Sequence, residues 1–78
     1  MVEIGTVLEE ETCDSIELWL DGKSKRNNVH TIHWVINDMG TWGFQLYNLD
    51  TQKTKRISRA EMNYYLHEGW YKISKEVA

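Results

Sequence analysis

Histidines and clustered carboxylates are the residues of this chain whose types could do chemistry. His30 and His33 lie three residues apart in a run of β-branched and aromatic residues that predicts a strand. Because side chains alternate on a strand, two residues three apart point to opposite faces and cannot bind the same metal ion. His67 lies far along the chain, on a predicted helix. We therefore expect no metal site, and no motif indicates another cofactor.

Catalysis also has little support from the sequence. Asp14 and Glu17 are the nearest approach to a carboxylate pair, but they belong to an acidic stretch typical of a solvated loop. Cys13 is the only cysteine of the 78 residues, which excludes an internal disulfide. Its sequence neighbours are acidic, whereas a reactive thiol needs basic groups beside it. The sequence predicts no catalytic residue and no enzyme.

The start of one helix is the clearest local signal. Ser58 and Glu61 have the spacing of a capping box, in which each side chain accepts a hydrogen bond from the other residue's backbone N–H. Ile57 and Met62 have the spacing of a hydrophobic staple around that cap. These four residues predict a helix that begins at residue 59.

The end of the same helix is marked by Gly69, which can adopt the left-handed conformation that ends a helix. Trp70 can then fold back onto Tyr65. The predicted helix spans residues 59–68, and it has an apolar edge that includes Tyr65 and Leu66.

Alternating apolar residues predict the strands, and polar runs predict the loops between them. The strands are expected at residues 2–8, 16–20 and 29–37, from residue 42 onward, and at 70–74; turns are expected at 21–22 and 37–40, and loops at 9–14, 22–28 and 48–55. A helix over residues 12–20 competes with the second strand. The fold predicted for this single domain (1–78) is α+β, with a small antiparallel sheet of four to five strands and one C-terminal helix. A small β-barrel with one helix is the alternative.

Nine aromatic residues, four of them Trp, are many for a core of this size. Some rings should therefore lie at the surface, where aromatic residues favour contacts with partners. The first candidate surface is a protein-binding one on the helix and its flank: Tyr64, His67, Trp70 and Tyr71.

A second candidate surface combines cations with a ring, as in sheets that bind single-stranded RNA. It comprises Lys23, Lys25, Arg26, Lys53, Lys55, Arg56 and Tyr47. The net charge of −3 weakens this alternative without removing it. An exposed sheet edge would also allow two copies to form a homodimer. No apolar run is long enough to span a membrane, and no secretion signal is visible, so we expect a cytoplasmic protein without a membrane partner.

The last third of the chain combines a strand and turn at residues 46–51, a capped helix start at 56–62 and the pair Gly69-Trp70. In this pattern it resembles small accessory proteins of phages that infect Gram-positive bacteria. In length and composition the whole chain is also similar to early host-takeover proteins of lytic Bacillus phages. This resemblance implies a non-enzymatic protein that binds a host macromolecule, such as polymerase, a nucleoid protein, a protease chaperone or RNA. It carries over no site residue, and it leaves open whether the partner is a host protein or host RNA.

Overall fold

The fold is an open antiparallel sheet with one helix and a projecting pair of strands. The computed structural model describes residues 2–75, which contain β1 (Val7–Thr12), β2 (Ser15–Leu18), β3 (Ser24–Asn27), β4 (His30–Gly40), β5 (Gly43–Asn48), β6 (Thr54–Ile57), α1 (Arg59–His67) and β7 (Tyr71–Lys75). Five strands form the main sheet in the order β6-β5-β4-β1-β7, and β2 and β3 form a separate sheet. The predicted α+β class is confirmed, and the main sheet has two edges rather than closing into a barrel.

One face of the main sheet carries the core. Residues that are opposite each other on neighbouring strands share a face, and such pairs include Leu8 with Trp34 and Ile36 with Leu46. Met62 of α1 is fully buried against this face. Strands β6 and β7 are the two edges of the main sheet, so the chain that connects them must cross one face of the sheet. Helix α1 lies in this connection and covers the core. We call the face of the main sheet that α1 covers the covered face, and the opposite face the open face.

The helix begins as the sequence predicts. The backbone N–H of Glu61 donates to the Ser58 hydroxyl over 3.0 Å, and the backbone N–H of Ser58 donates to the Glu61 carboxylate over 2.9 Å. The hydrogen bond that the Glu61 carboxylate accepts from the Ser58 N–H is the largest cause of a lowered pKa at Glu61, and the Ser58 side chain lowers this pKa further. Ile57 and Met62 are both buried in the core cluster, as a hydrophobic staple requires. The capping box therefore fixes where the chain leaves β6 and enters α1.

The first strand lies further along the chain than predicted. Residues 3–6 form a turn in which Thr6 N–H donates to the Glu3 carbonyl over 3.0 Å, and Gly5 has φ of +96°. Strand β1 then runs through the predicted loop, because its glutamates find partners across the sheet. Glu10 accepts a 2.9 Å hydrogen bond from the Trp34 indole. Polarity alone was therefore a wrong indicator of a loop here.

Two further strands replace predicted loops. Strand β3 pairs with β2 and sets Glu17 opposite Lys25, which is a favourable cross-strand pair. Strand β6 pairs with β5 and sets Lys55 opposite Leu46. Neither strand shows apolar alternation in its sequence, because β3 has no apolar residue and Ile57 is the only one in β6, so the periodicity that predicts strands was absent.

The turn between β4 and β5 also differs from the prediction. Strand β4 continues through the expected turn as far as Gly40, with a bulge between Ile36 and Asp38, and the reversal occurs at residues 41–42. Gly43 follows with φ of +136°, and a Cβ there would lie 2.1 Å from the Ile57 carbonyl oxygen. Glycine at this position allows β5 to approach the end of β6.

Strands β2 and β3 extend the β1–β4 hairpin beyond the main sheet. We call residues 15–27 the arm. The competing helix over residues 12–20 is wrong, since this segment contains the end of β1 and the whole of β2. The arm lengthens the molecule, whose principal extents are 46, 25 and 21 Å. None of its side chains is buried.

Candidate protein-binding surface

Three rings meet at the C-terminal end of α1, and we call them the aromatic platform: Tyr64, Tyr65 and Trp70. Trp70 stacks on Tyr65 with ring centroids 5.4 Å apart and an angle of 14° between the ring planes. Tyr64 meets Trp70 edge to face at 5.8 Å. Both geometries are favourable for aromatic pairs. Residues from the helix and from the following turn therefore form one continuous aromatic surface.

The chain reversal after α1 holds Trp70 in place. Trp70 N–H donates to the Tyr65 carbonyl over 2.9 Å, and Gly69 N–H donates to the Leu66 carbonyl over 3.3 Å. With Gly69 at φ of +78°, these two bonds form a Schellman motif. The predicted return of Trp70 onto Tyr65 is confirmed. The position of the indole is thus fixed by backbone hydrogen bonds as well as by ring contacts.

Exposure separates the four residues predicted for this surface. Tyr64 is 52% exposed, Trp70 is 58% exposed, and His67 is also exposed. Tyr71, by contrast, is only 3% exposed and belongs to the core. Its ring meets Tyr65 at 5.2 Å, so it supports the platform from below. The rings that are open to a partner are therefore those of Tyr64 and Trp70.

Beneath the platform lies a small polar cluster. The Lys55 ammonium is 4.3 Å from the centroid of the Trp34 ring and 5.3 Å from that of Tyr71, and it is 3.9 Å from the Glu10 carboxylate. Burial raises the pKa of Tyr71, and the negative charge of Glu10 raises it further. This cluster joins β6 to β1 and β7 across the covered face, so it contributes to folding rather than to a free surface.

A polar cleft borders the platform on the side of the arm. Its volume is about 340 Å³, and Trp70, Gly69, Glu10, Glu11 and Arg26 line it. Arg26 donates to the Glu11 carboxylate. The neighbouring Cys13 thiol and Glu11 carboxylate raise the pKa of the Arg26 guanidinium. The exposed indole of Trp70 therefore lies at the rim of a cleft that offers both hydrogen-bond donors and acceptors.

The residues predicted for RNA binding do not converge on one surface. Lys55 lies on the covered face, over the Trp34 ring, whereas the neighbouring Arg56 lies on the open face, because successive strand residues alternate. Tyr47 shares that open face, and Lys53 lies in the loop before β6. The other three cations belong to the arm: Lys23, Lys25 and Arg26. Only Tyr47 and Arg56 of this group share one face of the sheet.

The histidines and carboxylates are arranged as pairs. His33 lies 3.5 Å from Glu9 on the open face, and His30 lies 4.0 Å from Asp14 at the base of the arm. Within residues 2–75, no three side chains of His, Cys, Asp or Glu are grouped closely enough to hold a metal ion. Among the helical residues described, no segment is long and apolar enough to cross a membrane.

The sequence did not reveal an apolar cluster at the end of the arm. Leu18 is 83% exposed, Trp19 is 50% exposed, and Leu20 is completely exposed. The apolar alternation of residues 16–20 suggested burial in the sheet. Its pairing with the polar strand β3 prevents this, since β3 has no apolar side chain to pack against. The signal that could have shown this was the polar composition of residues 23–28, next to an apolar strand.

Comparisons of the chain with protein-family models, with curated proteins and with solved structures give no match.

Proposed function

We propose that this chain is a non-enzymatic binding module that contacts a partner protein through the aromatic platform. The observation that carries the proposal is the pair of exposed rings, Tyr64 and Trp70, which lie in contact at the end of α1. Exposed rings of this kind are the residues that most often dominate the energy of protein–protein contacts.

The rigidity of the platform supports this function. Binding costs conformational entropy whenever a mobile side chain must be ordered. Trp70 is already held by the Schellman motif and by the Tyr65 ring, so little of this cost remains. The adjacent cleft, with Glu11 and Arg26, would supply the polar rim that surrounds such an anchor.

The proposal includes a cellular setting. The resemblance stated above suggests a phage protein that acts in the cytoplasm of a Gram-positive host and modulates a host macromolecule. RNA binding stays a prediction, and no structural observation favours it, because the cations are divided among the arm, the covered face and the open face. The protein contact rests on exposed rings that are already in contact.

A pull-down from Bacillus lysate tests the proposal. The lysate is treated with nuclease before it is passed over the tagged chain, and a protein retained in stoichiometric amount is the expected result. A bait carrying Tyr64→Ala and Trp70→Ala should lose that protein. A bait carrying Trp42→Ala should retain it, because Trp42 is also exposed but lies in the β4–β5 turn.

Loss of every partner after nuclease treatment would contradict the proposal and favour RNA. That outcome has its own check, since binding to labelled RNA should weaken steeply as salt rises. Replacing Lys25 and Arg26 by Ala should then reduce the fraction of labelled RNA that the protein shifts in a gel-shift assay.

A further inference from the structure

Strand β7 covers only the first part of β1, which leaves a free strand edge beside the aromatic platform. The pairing of β7 with β1 ends with Tyr71 opposite Glu10, whereas β1 continues to Thr12 and is followed by β2. Within the described residues, no strand lies along the outer side of residues 11–18, and we call this side the free edge. We infer that a segment of the partner protein binds at the free edge as an added strand, in line with β7. This inference rests on the proposed function, since it describes how the partner of the aromatic platform binds.

The β1 part of the free edge offers the backbone groups of Glu11. In an antiparallel pair, alternate residues direct their N–H and C=O to the partner strand, and the residues between them direct theirs outward. Ile36 N–H donates to the Thr6 carbonyl over 3.0 Å, so the even-numbered residues of the first strand bond to β4. The odd-numbered residues then bond outward to β7 as far as Glu9, and the groups of Glu11 point outward beyond the end of that pairing.

The arm continues the same edge with two further outward residues. Trp19 N–H donates to the Lys23 carbonyl over 2.8 Å, so the odd-numbered residues of this hairpin bond across it. The backbone N–H and C=O of Ile16 and Leu18 are therefore directed outward, away from β3. An extended chain placed along the free edge would find hydrogen-bond donors and acceptors at regular spacing.

The free edge also lacks the basic residues that the other edges carry. Charged side chains on an edge strand, lysine above all, discourage its pairing with another chain. Each of the other edge strands has two basic residues: Lys25 and Arg26 in β3, Lys55 and Arg56 in β6, and Lys72 and Lys75 in β7. Strand β2 has none, and its one charged residue, Glu17, lies opposite Lys25. Its Ile16 and Leu18 are 59% and 83% exposed, so an added strand would remove apolar surface from water.

Open space lies at the Glu11 end of the free edge. Two clefts, of about 340 and 150 Å³, are both lined by Glu11, Gly69 and Trp70. The chain's own strand β7 does not extend into this space, because the N–H of Trp70 is bonded to the Tyr65 carbonyl and its ring stacks on Tyr65. An added strand would end against the exposed Trp70 indole, so the free edge and the aromatic platform would form one continuous binding site.

The occupant is an extended segment with apolar side chains at alternate positions. At about 3.3 Å per residue, the free edge is roughly 23 Å long, which suits a strand of about six residues. The residues opposite Ile16 and Leu18 are two apart in such a strand, so their side chains lie on one face beside these two. A helix cannot occupy the edge in this way, because its own backbone groups are bonded internally. Backbone pairing would supply affinity, and the alternate side chains would supply selectivity.

Amide hydrogen exchange measured by NMR tests the inference directly. The probe is the protein retained in the pull-down, added to the isotope-labelled chain. In the free chain the outward amides of Ile16 and Leu18 should exchange faster than those of Glu17 and Trp19, which bond across the arm. The partner should slow exchange at Glu11, Ile16 and Leu18 by about tenfold or more, because their N–H groups become bonded.

Substitutions at one position separate backbone pairing from side-chain contact. Proline has no N–H, but it is tolerated on an edge strand where that N–H would face solvent. Ile16→Pro should therefore keep the arm folded and weaken the affinity for the partner about tenfold more than Ile16→Val does. Valine is the matched control, because it has as many side-chain carbons as proline and keeps the N–H. The amide spectrum checks folding, and Leu18→Pro with Leu18→Val is the second pair if Ile16→Pro does not fold.

Three results would overturn the inference: a bound partner that leaves the amides of Ile16 and Leu18 unprotected, equal affinities of Ile16→Pro and Ile16→Val, or protection of these amides in the chain alone as its concentration rises. The last result would assign the free edge to a second copy. The first two leave the proposed function intact where Trp70→Ala still weakens binding. A pull-down that retains no protein contradicts the proposed function itself, and this inference with it.

Discussion

The indole of Trp70 lies almost parallel to the phenol ring of Tyr65, with centroids 5.4 Å apart and ring planes 14° apart. This relationship joins the end of α1 to the start of β7 and places an exposed ring at a fixed position. Tyr71 supports Tyr65 from the core side with an edge-to-face contact. The surface proposed to bind a partner therefore rests directly on the residues that hold the helix against the sheet.

The close approach of β5 to the end of β6 predicts that Gly43→Ala is strongly destabilising. The added Cβ would lie 2.1 Å from the Ile57 carbonyl oxygen, a backbone atom that cannot move aside cheaply. We expect a loss of about 2 kcal/mol or more in the free energy of unfolding, measured by urea denaturation. Gly22→Ala is the matched control, because Gly22 also has positive φ but nothing within 4 Å, and its cost should be about 1 kcal/mol. Equal losses of unfolding free energy in the two variants would show that the positive φ of Gly43, and not a clash with the Ile57 carbonyl, causes the destabilisation.

The capping box predicts a specific loss of stability in acid. The pKa of Glu61 is lowered in the folded chain, so its carboxylate favours folding above its ordinary pKa near 4.5, and this contribution is lost as the pH falls through the folded value. In Glu61→Gln the amide can keep the hydrogen bond but cannot titrate. The difference in unfolding free energy between wild type and this variant should therefore shrink below about pH 5. A difference that stays constant from neutral to acid pH would contradict this role.

Burial of Tyr71 predicts the opposite behaviour in alkali. Its pKa is raised above its usual value near 10, so the folded state holds its proton at a pH where the unfolded state has lost it. The stability that Tyr71 contributes is therefore complete below about pH 10 and is lost as the pH rises above it. Tyr71→Phe cannot ionise, and it should remain folded to higher pH than the wild type when ellipticity is followed. Identical alkaline transitions for the two chains would show that the phenol is free to ionise in the folded state.

The bond from the Trp34 indole to Glu10 predicts an order of stability for two substitutions. In Glu10→Ala the N–H of the nearly buried indole loses its acceptor, which should cost about 1–3 kcal/mol. In Glu10→Gln the amide oxygen can still accept that bond, and only the partly exposed ion pair to Lys55 is lost, which is worth at most about 1 kcal/mol. Urea denaturation followed by circular dichroism should give the highest free energy of unfolding for the wild type, a lower one for Glu10→Gln and the lowest for Glu10→Ala. If Gln were as costly as Ala, the ion pair and not the indole bond would be the main contribution.

The sequence predicted those parts of the fold that depend on local chemistry. Ser58, Glu61 and Gly69 define the two ends of α1 through backbone hydrogen bonds within a few residues, so their spacing was sufficient. The strand predicted at residues 29–37 falls within β4, which lies at the centre of the main sheet. Of the predicted protein-binding residues, Tyr64, His67 and Trp70 are exposed as a binding surface requires.

The remaining features depend on strand partners, which the sequence does not show. Glu10 is in a strand because Trp34 and Lys55 satisfy its carboxylate from other strands. Tyr71 was expected on the surface, but its place on the covered face follows from its pairing with Glu10. The strand predicted at residues 16–20 was expected in the main sheet and instead belongs to the arm, since β2 pairs with the polar strand β3. Long-range register decided each of these cases.

Calorimetric titration of the retained partner protein into the wild-type chain, Trp70→Ala and Trp42→Ala tests the aromatic platform most directly. We expect Trp70→Ala to weaken the affinity by about 30-fold or more, as the loss of a central aromatic contact does, and Trp42→Ala to change it by no more than about twofold. Both variants remove one exposed indole, so the comparison isolates the position of the ring. Equal affinities of Trp70→Ala and the wild type would contradict the proposal that the platform is the binding surface.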